Sequence, residues 1–279
     1  MTTLCVPADT ALTDRQRREL EYHRDHAAEY QRVLAAPFPY DLLRPNRRRW
    51  WNAYWDMYTY LLSLDLRAKR CLVVGCGFGS DALYLAKMGA EVHAFDLCPE
   101  SLDTASRLAR REGLDVSFRE MPAERLTYDD SMFDLLLARD ILHHVDIPAA
   151  TAEMRRVCCD GALWVVDEIY SHSITEVVRR SWVVEKLLYR PMQGIIYGNG
   201  TPYITADERK MTERDIRILK TAVGRVEREK YFDFLVSRVL PRIAALAIMD
   251  RLLLTGLQPI ARVLGGRVLL VGRVSKAAA

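Results

Sequence analysis

Nowhere in the 279 residues does an apolar run continue uninterrupted for the length of a membrane span. The most apolar region, 235–264, is broken by Arg238, Pro241, Arg242, Asp250, Arg251 and Pro259. The chain also lacks any C-x-x-C. Its cysteines are scattered singles plus the pair Cys158-Cys159, which argues against a zinc site or a disulfide framework and predicts a reducing compartment. No metal is expected. Charge of one sign is scarce too: a net +3 with a pI near 8.5 is too mild to argue for nucleic acid as a partner. Met1 to Pro7 lack the basic-then-apolar layout of a signal peptide, so a cytoplasmic setting is the expectation. There is no internal repeat.

Half of the residues are hydrophobic, enough for a large core in one elaborated α/β domain or one domain with a cap. Residues 1–12 read as a flexible tail. Asp14 is placed to cap a helix over about 15–34, which the two prolines of Ala36-Pro37-Phe38-Pro39-Tyr40 end. A second helix is predicted over 47–64, where Trp51, Tyr54, Trp55, Tyr58, Leu61 and Leu62 fall on one face. Arg47-Arg48-Arg49 in its first turn oppose the helix dipole and so point to another partner. From Cys71 strands and helices alternate, the pattern of a parallel sheet. Strands are predicted at 71–74, 91–95, 115–119, 133–138 and 162–166, the last after an Asp160-Gly161 turn. Helices fall at 81–88, 100–112 and 148–157. The stretch 171–209 is too long for an ordinary connection. A helix at 212–223, a strand at 225–234, an apolar helical stretch at 235–264 and a strand at 267–274 complete the chain.

The glycine turn organises this pattern. Cys71 to Val74 is a continuous apolar run, as a buried parallel strand requires, and Gly75, Gly77 and Gly79 follow within five positions. Glycines there let the backbone bend sharply and approach a ligand. Asp96 lies 17 residues after Gly79 at the carboxyl end of the second strand, where open α/β sheets bind ligands. A carboxylate at that point accepts from both hydroxyls of a ribose. Two frames compete. Gly77-Phe78-Gly79-Ser80-Asp81-Ala82 fits the G-x-G-x-x-G/A of a dinucleotide site, which would make the protein an NAD(P)-dependent oxidoreductase. Gly75-Cys76-Gly77-Phe78-Gly79 reads instead as G-x-G-x-G closing the first strand.

The second frame resembles motif I of class I S-adenosylmethionine-dependent methyltransferases, of the small-molecule or natural-product type. Glu91 to Leu102 is similar to that family's second-strand motif, and Met132 to Val145, ending in Leu142-His143-His144, to its fourth-strand motif. His23 to Tyr30 looks like the helix that many small-molecule members lay over the cofactor. The resemblance covers about 22–170, and the C-terminal pattern agrees in outline. It implies a Rossmann-like, doubly wound α/β sheet of seven strands, mostly parallel with an antiparallel last strand, plus N-terminal helices and helical insertions. The corresponding parts are N-terminal helices 13–66 over the site, a core 67–170, a helical cap 171–211, and a C-terminal part 212–279 with the apolar insertion 235–264. The implied cofactor is S-adenosyl-L-methionine, with S-adenosyl-L-homocysteine as product. Its implied contacts are Tyr30, Gly75, Cys76, Gly77, Gly79, Asp96, Leu97, Ala123, Glu124 and Arg139. The chain departs from the pattern at Val73, where an acid often precedes the first glycine, and at Pro122, where one often precedes the adenine-contacting segment.

Methyl transfer requires an aligned acceptor and exclusion of water, and a hydroxyl or ammonium acceptor also requires a base. His143 or His144 is the best-placed base, followed by Asp140 and by Glu168, expected on the same rim after the fifth strand. The accessory segments supply aromatic candidates for the acceptor: Tyr22, Trp51, Tyr54, Trp55, Trp182, Tyr197 and Tyr203. They predict a hydrophobic or aromatic small molecule, methylated on oxygen, nitrogen or carbon, in secondary metabolism. A prenyl or terpenoid chain methylated on carbon, its carbocation shielded by aromatic faces, is one alternative. A lipid or membrane-surface acceptor is another, with 235–264 and Arg47-Arg48-Arg49 at the interface. Asp140-Ile141-Leu142-His143 is not the Asn/Asp-Pro-Pro-Tyr type used on base amino groups, so no nucleic-acid substrate is expected. The N-terminal helix and its proline-broken linker are suited to exchange between protomers of a homo-oligomer.

Overall fold

The computed structural model describes residues 12–25, 32–43, 53–182, 184, 186, 209–235 and 244–276. Among them, seven strands form one sheet in the order β3-β2-β1-β4-β5-β7-β6. Strand β1 (Arg70–Val74) is central, flanked in parallel by β2 (Glu91–Asp96) and β4 (Phe133–Arg139). Two neighbours in the sheet and helices on its faces leave Cys71 to Val74 fully covered, which explains an apolar run without alternation. Strands β3 (Val116–Glu120) and β5 (Cys158–Ile169) extend the sheet in parallel on either side. Strand β7 (Arg267–Val274) then enters antiparallel between β5 and β6 (Gly224–Phe232), as expected for the final strand. The order reverses between β2 and β4 about β1, so a crevice opens beyond the carboxyl ends of these strands.

The helices, in chain order, are α1 (Asp14–Asp25), α2 (Trp55–Leu61), α3 (Ser80–Lys87), α4 (Pro99–Glu112), α5 (Ile147–Val157), α6 (Ser173–Arg179), α7 (Glu213–Val223), α8 (Ala244–Gly256) and α9 (Ala261–Leu264). Helix α4 starts at Pro99 and ends at left-handed Gly113, the arrangement both residues favour. The fully buried Trp164, Tyr170, Phe95 and Phe133 mark the core against the sheet.

Two expectations change. The helix predicted over 47–64 is described only from its second half: α2 begins at Trp55, with Tyr54 in the N-cap position, and buries Met57, Tyr58 and Leu61. Arg47 to Trp51 lie outside the described residues. The Asp160-Gly161 pair does not precede the fifth strand but sits inside it. Cys158 pairs with Phe133 and Leu163 with Leu135, so the ladder bulges between them, and Gly161 takes the positive φ (+77°) that the excursion needs. The apolar stretch 235–264 is interrupted, in keeping with the prolines it contains. Pro259 cannot continue α8, and a short 3-10 turn, Gln258–Ile260, leads into α9. Buried Asp250 on α8 accepts the backbone N–H groups of Phe234 (2.8 Å) and Leu235 (2.7 Å), tying this helix to the end of β6. None of the described helices is long and apolar enough to cross a membrane.

Candidate functional site

The glycine turn leaves β1 with three positive φ angles, +59° at Gly75, +50° at Gly77 and +80° at Gly79. Side-chain packing adds a second requirement at Gly75, where a Cβ would fall 2.3 Å from Ile141 Cγ1. At Gly77 no heavy atom lies within 4 Å of a Cβ, so this position faces open space. Asp96 holds the turn in place. Its Oδ2 accepts the Gly77 N–H at 2.8 Å and its Oδ1 the Cys98 N–H at 2.9 Å, which fixes the carboxylate at the mouth of β2.

A cavity opens over this turn. Of the candidate cofactor contacts, Gly75, Gly77, Asp96, Leu97, Ala123 and Glu124 line it, together with Asp140 and His144 from the end of β4. Cys76, Gly79 and Arg139 stand behind the lining: Cys76 donates its N–H to Phe95 O at 2.9 Å, and Gly79 caps α3. Helix α1 closes the cavity with Gln16, Glu19 and Leu20, while most of the expected 23–30 lies outside the described residues. Arg15 fastens α1 down, donating to the carbonyls of His143 (2.9 Å) and Val145 (3.2 Å), and Gln16 donates to Glu124 (3.1 Å). Tyr30 lies outside the described residues.

The charge of the lining is one-sided. Glu19, Asp96, Glu124 and Asp140 contribute carboxylates, and among the described residues no lysine or arginine lines the cavity.

The residues after β4 sort into distinct roles. Arg139 does not reach the cavity; it pairs with Asp81 at 2.6 Å, and its guanidinium lies 4.3 Å from the Tyr54 ring centre. Asp81 also accepts the Tyr58 hydroxyl. Asp140 adopts a left-handed φ of +52° and is clamped by the Tyr54 hydroxyl and Arg267 Nη2, each at 2.6 Å. Burial pushes the Asp140 carboxyl up, but Arg267, the Tyr54 hydroxyl and Arg139 outweigh it and hold the group below its usual value. Burial and the Asp140 charge push the Tyr54 phenol up to about 12, so it stays a donor. Behind them Arg267 donates twice to fully buried Asp167, at 2.7 and 3.0 Å.

Glu168 is not on the rim. It is fully buried within β5 and accepts the N–H groups of Ile141 and Leu142 (2.6 Å each) and faces His143 Nδ1 at 2.8 Å. Those bonds shape the turn Leu142–His144, and they bury His143 away from the cavity. His144 is the histidine on the lining, with Nδ1 3.1 Å from Glu19 Oε2.

The described aromatic candidates, Tyr54, Trp55 and Trp182, do not line the cavity. Tyr54 belongs to the Asp140 clamp, Trp55 is half-buried on α2, and Trp182 is 64% exposed, with Lys186 above its ring. Trp51, Tyr197, Tyr203 and the side chain of Tyr22 lie outside the described residues. Sequence reasoning missed Gln16, Glu19 and Leu20, whose helix is dense in charge throughout. It also missed Arg267, although a cation directly ahead of the apolar run Val268 to Val271 was a usable signal.

Residues 72–166 match the family described as a methyltransferase domain. Curated relatives include a ubiquinone biosynthesis O-methyltransferase of Methylocella silvestris, 39% identical over 80 residues (29% of this chain, 31% of the relative). Another, from Paraburkholderia phymatum, is 28% identical over 155 residues (55% and 63%). The chain thus spans less than two thirds of the length of these relatives. The geranyl diphosphate C-methyltransferase of Streptomyces coelicolor A3(2), solved with Mg2+, geranyl diphosphate and S-adenosyl-L-homocysteine, aligns with a TM-score of 0.60 at 13% identity. That alignment covers 95% of this chain and 99% of the other, a likeness of fold.

Proposed function

We propose that this chain, whose residues 72–166 are a methyltransferase domain of the class I S-adenosylmethionine-dependent type, methylates a hydrophobic small molecule. The observation that supports the cofactor choice is the acid lining of the cavity, four carboxylates with no lysine or arginine among the described lining residues, Arg267 lying behind Asp140. Such a lining favours a ligand carrying a sulfonium and an ammonium, and opposes the pyrophosphate of a dinucleotide. The turn fits as well: Gly77 leaves open the space that a Cβ would take.

In this reading Asp96 accepts from the ribose, Met121 to Glu124 flank the base, and Gly75 and Gly77 make room for the aminocarboxypropyl group. S-adenosylmethionine, when bound, supplies an electrophilic methyl and leaves as S-adenosylhomocysteine. Leu20, Ile141 and Val145 keep water from the reacting end, with α1 as the cover. The ubiquinone biosynthesis relatives support an oxygen nucleophile, which needs a base, and His144 is the histidine within reach of the cavity. The apolar lining at this end supports a hydrophobic acceptor.

Thermal shift separates the cofactors. S-adenosylhomocysteine is expected to stabilise the protein, and stabilisation by NAD or NADP alone would overturn the reading. Asp96→Ala is expected to weaken S-adenosylhomocysteine binding by about tenfold or more, because hydrogen bonds to a charged acceptor are lost. Calorimetric titration reads this directly; unchanged affinity in the variant sinks the ribose assignment.

A further inference from the structure

Glu19 is an unusual residue for its place. Helix α1 is built from charged and polar side chains, and the neighbouring Arg17, Glu21 and Arg24 are exposed, yet Glu19 is only 6% exposed. A carboxylate buried on a helix face is costly unless a partner compensates it. One such partner is His144, whose Nδ1 stands 3.1 Å from Oε2, with the two side chains 12% and 8% exposed. Arg15, one turn earlier on the same face, sets the register by holding the carbonyls on either side of His144. The ring is not aligned for an N–H···O bond: Nδ1 is buried with no hydrogen-bond partner. Catalytic hydrogen bonds are often poorly aligned before a substrate tightens them. His143 shows the completed form of the same arrangement 4.0 Å away, its Nδ1 on Glu168 at 2.8 Å. Each of two stacked imidazoles therefore faces its own carboxylate, one from the sheet and one from the covering helix.

We propose that Glu19 is a positioning residue that orients His144 as the base of the reaction, and this rests on the methyltransferase reading above. Its carboxylate holds a proton on Nδ1, which leaves the lone pair on Nε2 to accept. When the acceptor hydroxyl is deprotonated, its O–H bond breaks, the proton goes to Nε2, and the electron pair stays on oxygen as the nucleophile. Glu19 remains ionised and balances the imidazolium until the proton passes to solvent. Because Glu19 belongs to α1, the base is complete only when this helix is seated on the cavity. The turn that carries His144 and the helix that activates it are then one unit, locked by Arg15.

The test uses 15N-histidine-labelled full-length protein. Two-bond nitrogen–proton correlations report which nitrogen of neutral His144 carries its proton, independently of turnover. The wild type is expected to show the proton on Nδ1, and Glu19→Ala to move the population to Nε2. With an acceptor that the wild type methylates, kcat of Glu19→Ala is expected to fall on the order of 10²-fold, with the acceptor KM little changed. Glu19→Gln keeps an acceptor oxygen but not the charge, so it should restore the Nδ1 tautomer while recovering only part of kcat. If wild type binds no S-adenosylhomocysteine in calorimetric titration, the methyltransferase reading itself falls. If wild type binds it and turns over while Glu19→Ala keeps the wild-type tautomer and kcat, the role of Glu19 alone is overturned. Should the alanine variant fail to fold, Glu19→Gln decides, and full kcat in that isosteric variant overturns the proposal.

Discussion

Arg267→Met is expected to cost the fold about 3–5 kcal/mol above about pH 7, where Asp167 is ionised, the range for removing one partner of a buried ion pair. Arg267 is 5% exposed and is shared by two acids, Asp167 (0% exposed) and half-buried Asp140. Methionine replaces the aliphatic stem of the side chain but offers no donor, so Asp167 keeps a desolvated charge or takes up a proton. Asp140 keeps the Tyr54 hydroxyl and loses the cation that holds its carboxyl low. Urea unfolding followed by circular dichroism reads the loss, and a drop under about 1 kcal/mol, the worth of an exposed pair, would show that the network is not compensating buried charge. Adding Asp167→Asn to Arg267→Met should recover part of the stability, and a double-mutant cycle measures the coupling.

The same site has a pH signature. Burial pushes the Asp167 carboxyl up to about 7, against the pull of Arg267. The folded protein therefore holds a proton that the unfolded chain has already released above about pH 4. The stabilisation linked to that proton is complete below about pH 4 and is lost as pH rises through about 7. Asp140, held low, acts with the opposite sign, its stabilisation fading only in acid below the ordinary aspartate range. Asp167→Asn should flatten the decline in stability between about pH 4 and about 7; an unaltered slope would assign the decline to other groups.

Gly75→Ala is the second large effect. Alanine at a φ of +59° costs about 1–2 kcal/mol from backbone strain, and its Cβ would lie 2.3 Å and 2.4 Å from the Cγ1 and Cδ1 of Ile141. Ile141 has little freedom to retreat, because its N–H is bound to buried Glu168 at 2.6 Å. Moving it disturbs the turn that carries His144, so both stability and S-adenosylhomocysteine affinity are expected to fall, the first by about 2–4 kcal/mol when overpacking is added to strain. Gly77→Ala provides the contrast. Its Cβ meets nothing within 4 Å, so the apo protein loses only the strain, while the new methyl occupies the cavity and ligand affinity is lost. Thermal unfolding and calorimetric titration of the pair distinguish the two. Equal losses of stability in both variants would mean that Ile141 does not close on Gly75.

The sheet and the glycine turn were legible because their causes are local. Apolar runs, glycines and capping residues act over a few positions, and the predicted 267–274 strand coincides with β7 to the residue. Asp96 was legible for the same reason, as a carboxylate at a strand end a fixed distance from a glycine turn. The bulge around Gly161 was not, since a glycine that reads as a turn serves equally as the left-handed residue of an irregular strand.

By itself the sequence determined a class of fold, a glycine turn at the end of β1, and a short set of acids and histidines near it. Only the tertiary structure decided which of them face the cavity. His143 and His144 are adjacent in the chain and differ in role because Glu168 comes from β5 and Glu19 from α1. Arg267 meets Asp140 across 127 positions through the register of an antiparallel strand that no local pattern encodes. A side chain's period along its own element is a local property. Its partner and its burial depend on how the elements pack, and in this protein those pairings divide the charges that hold the site from the charges that face the ligand.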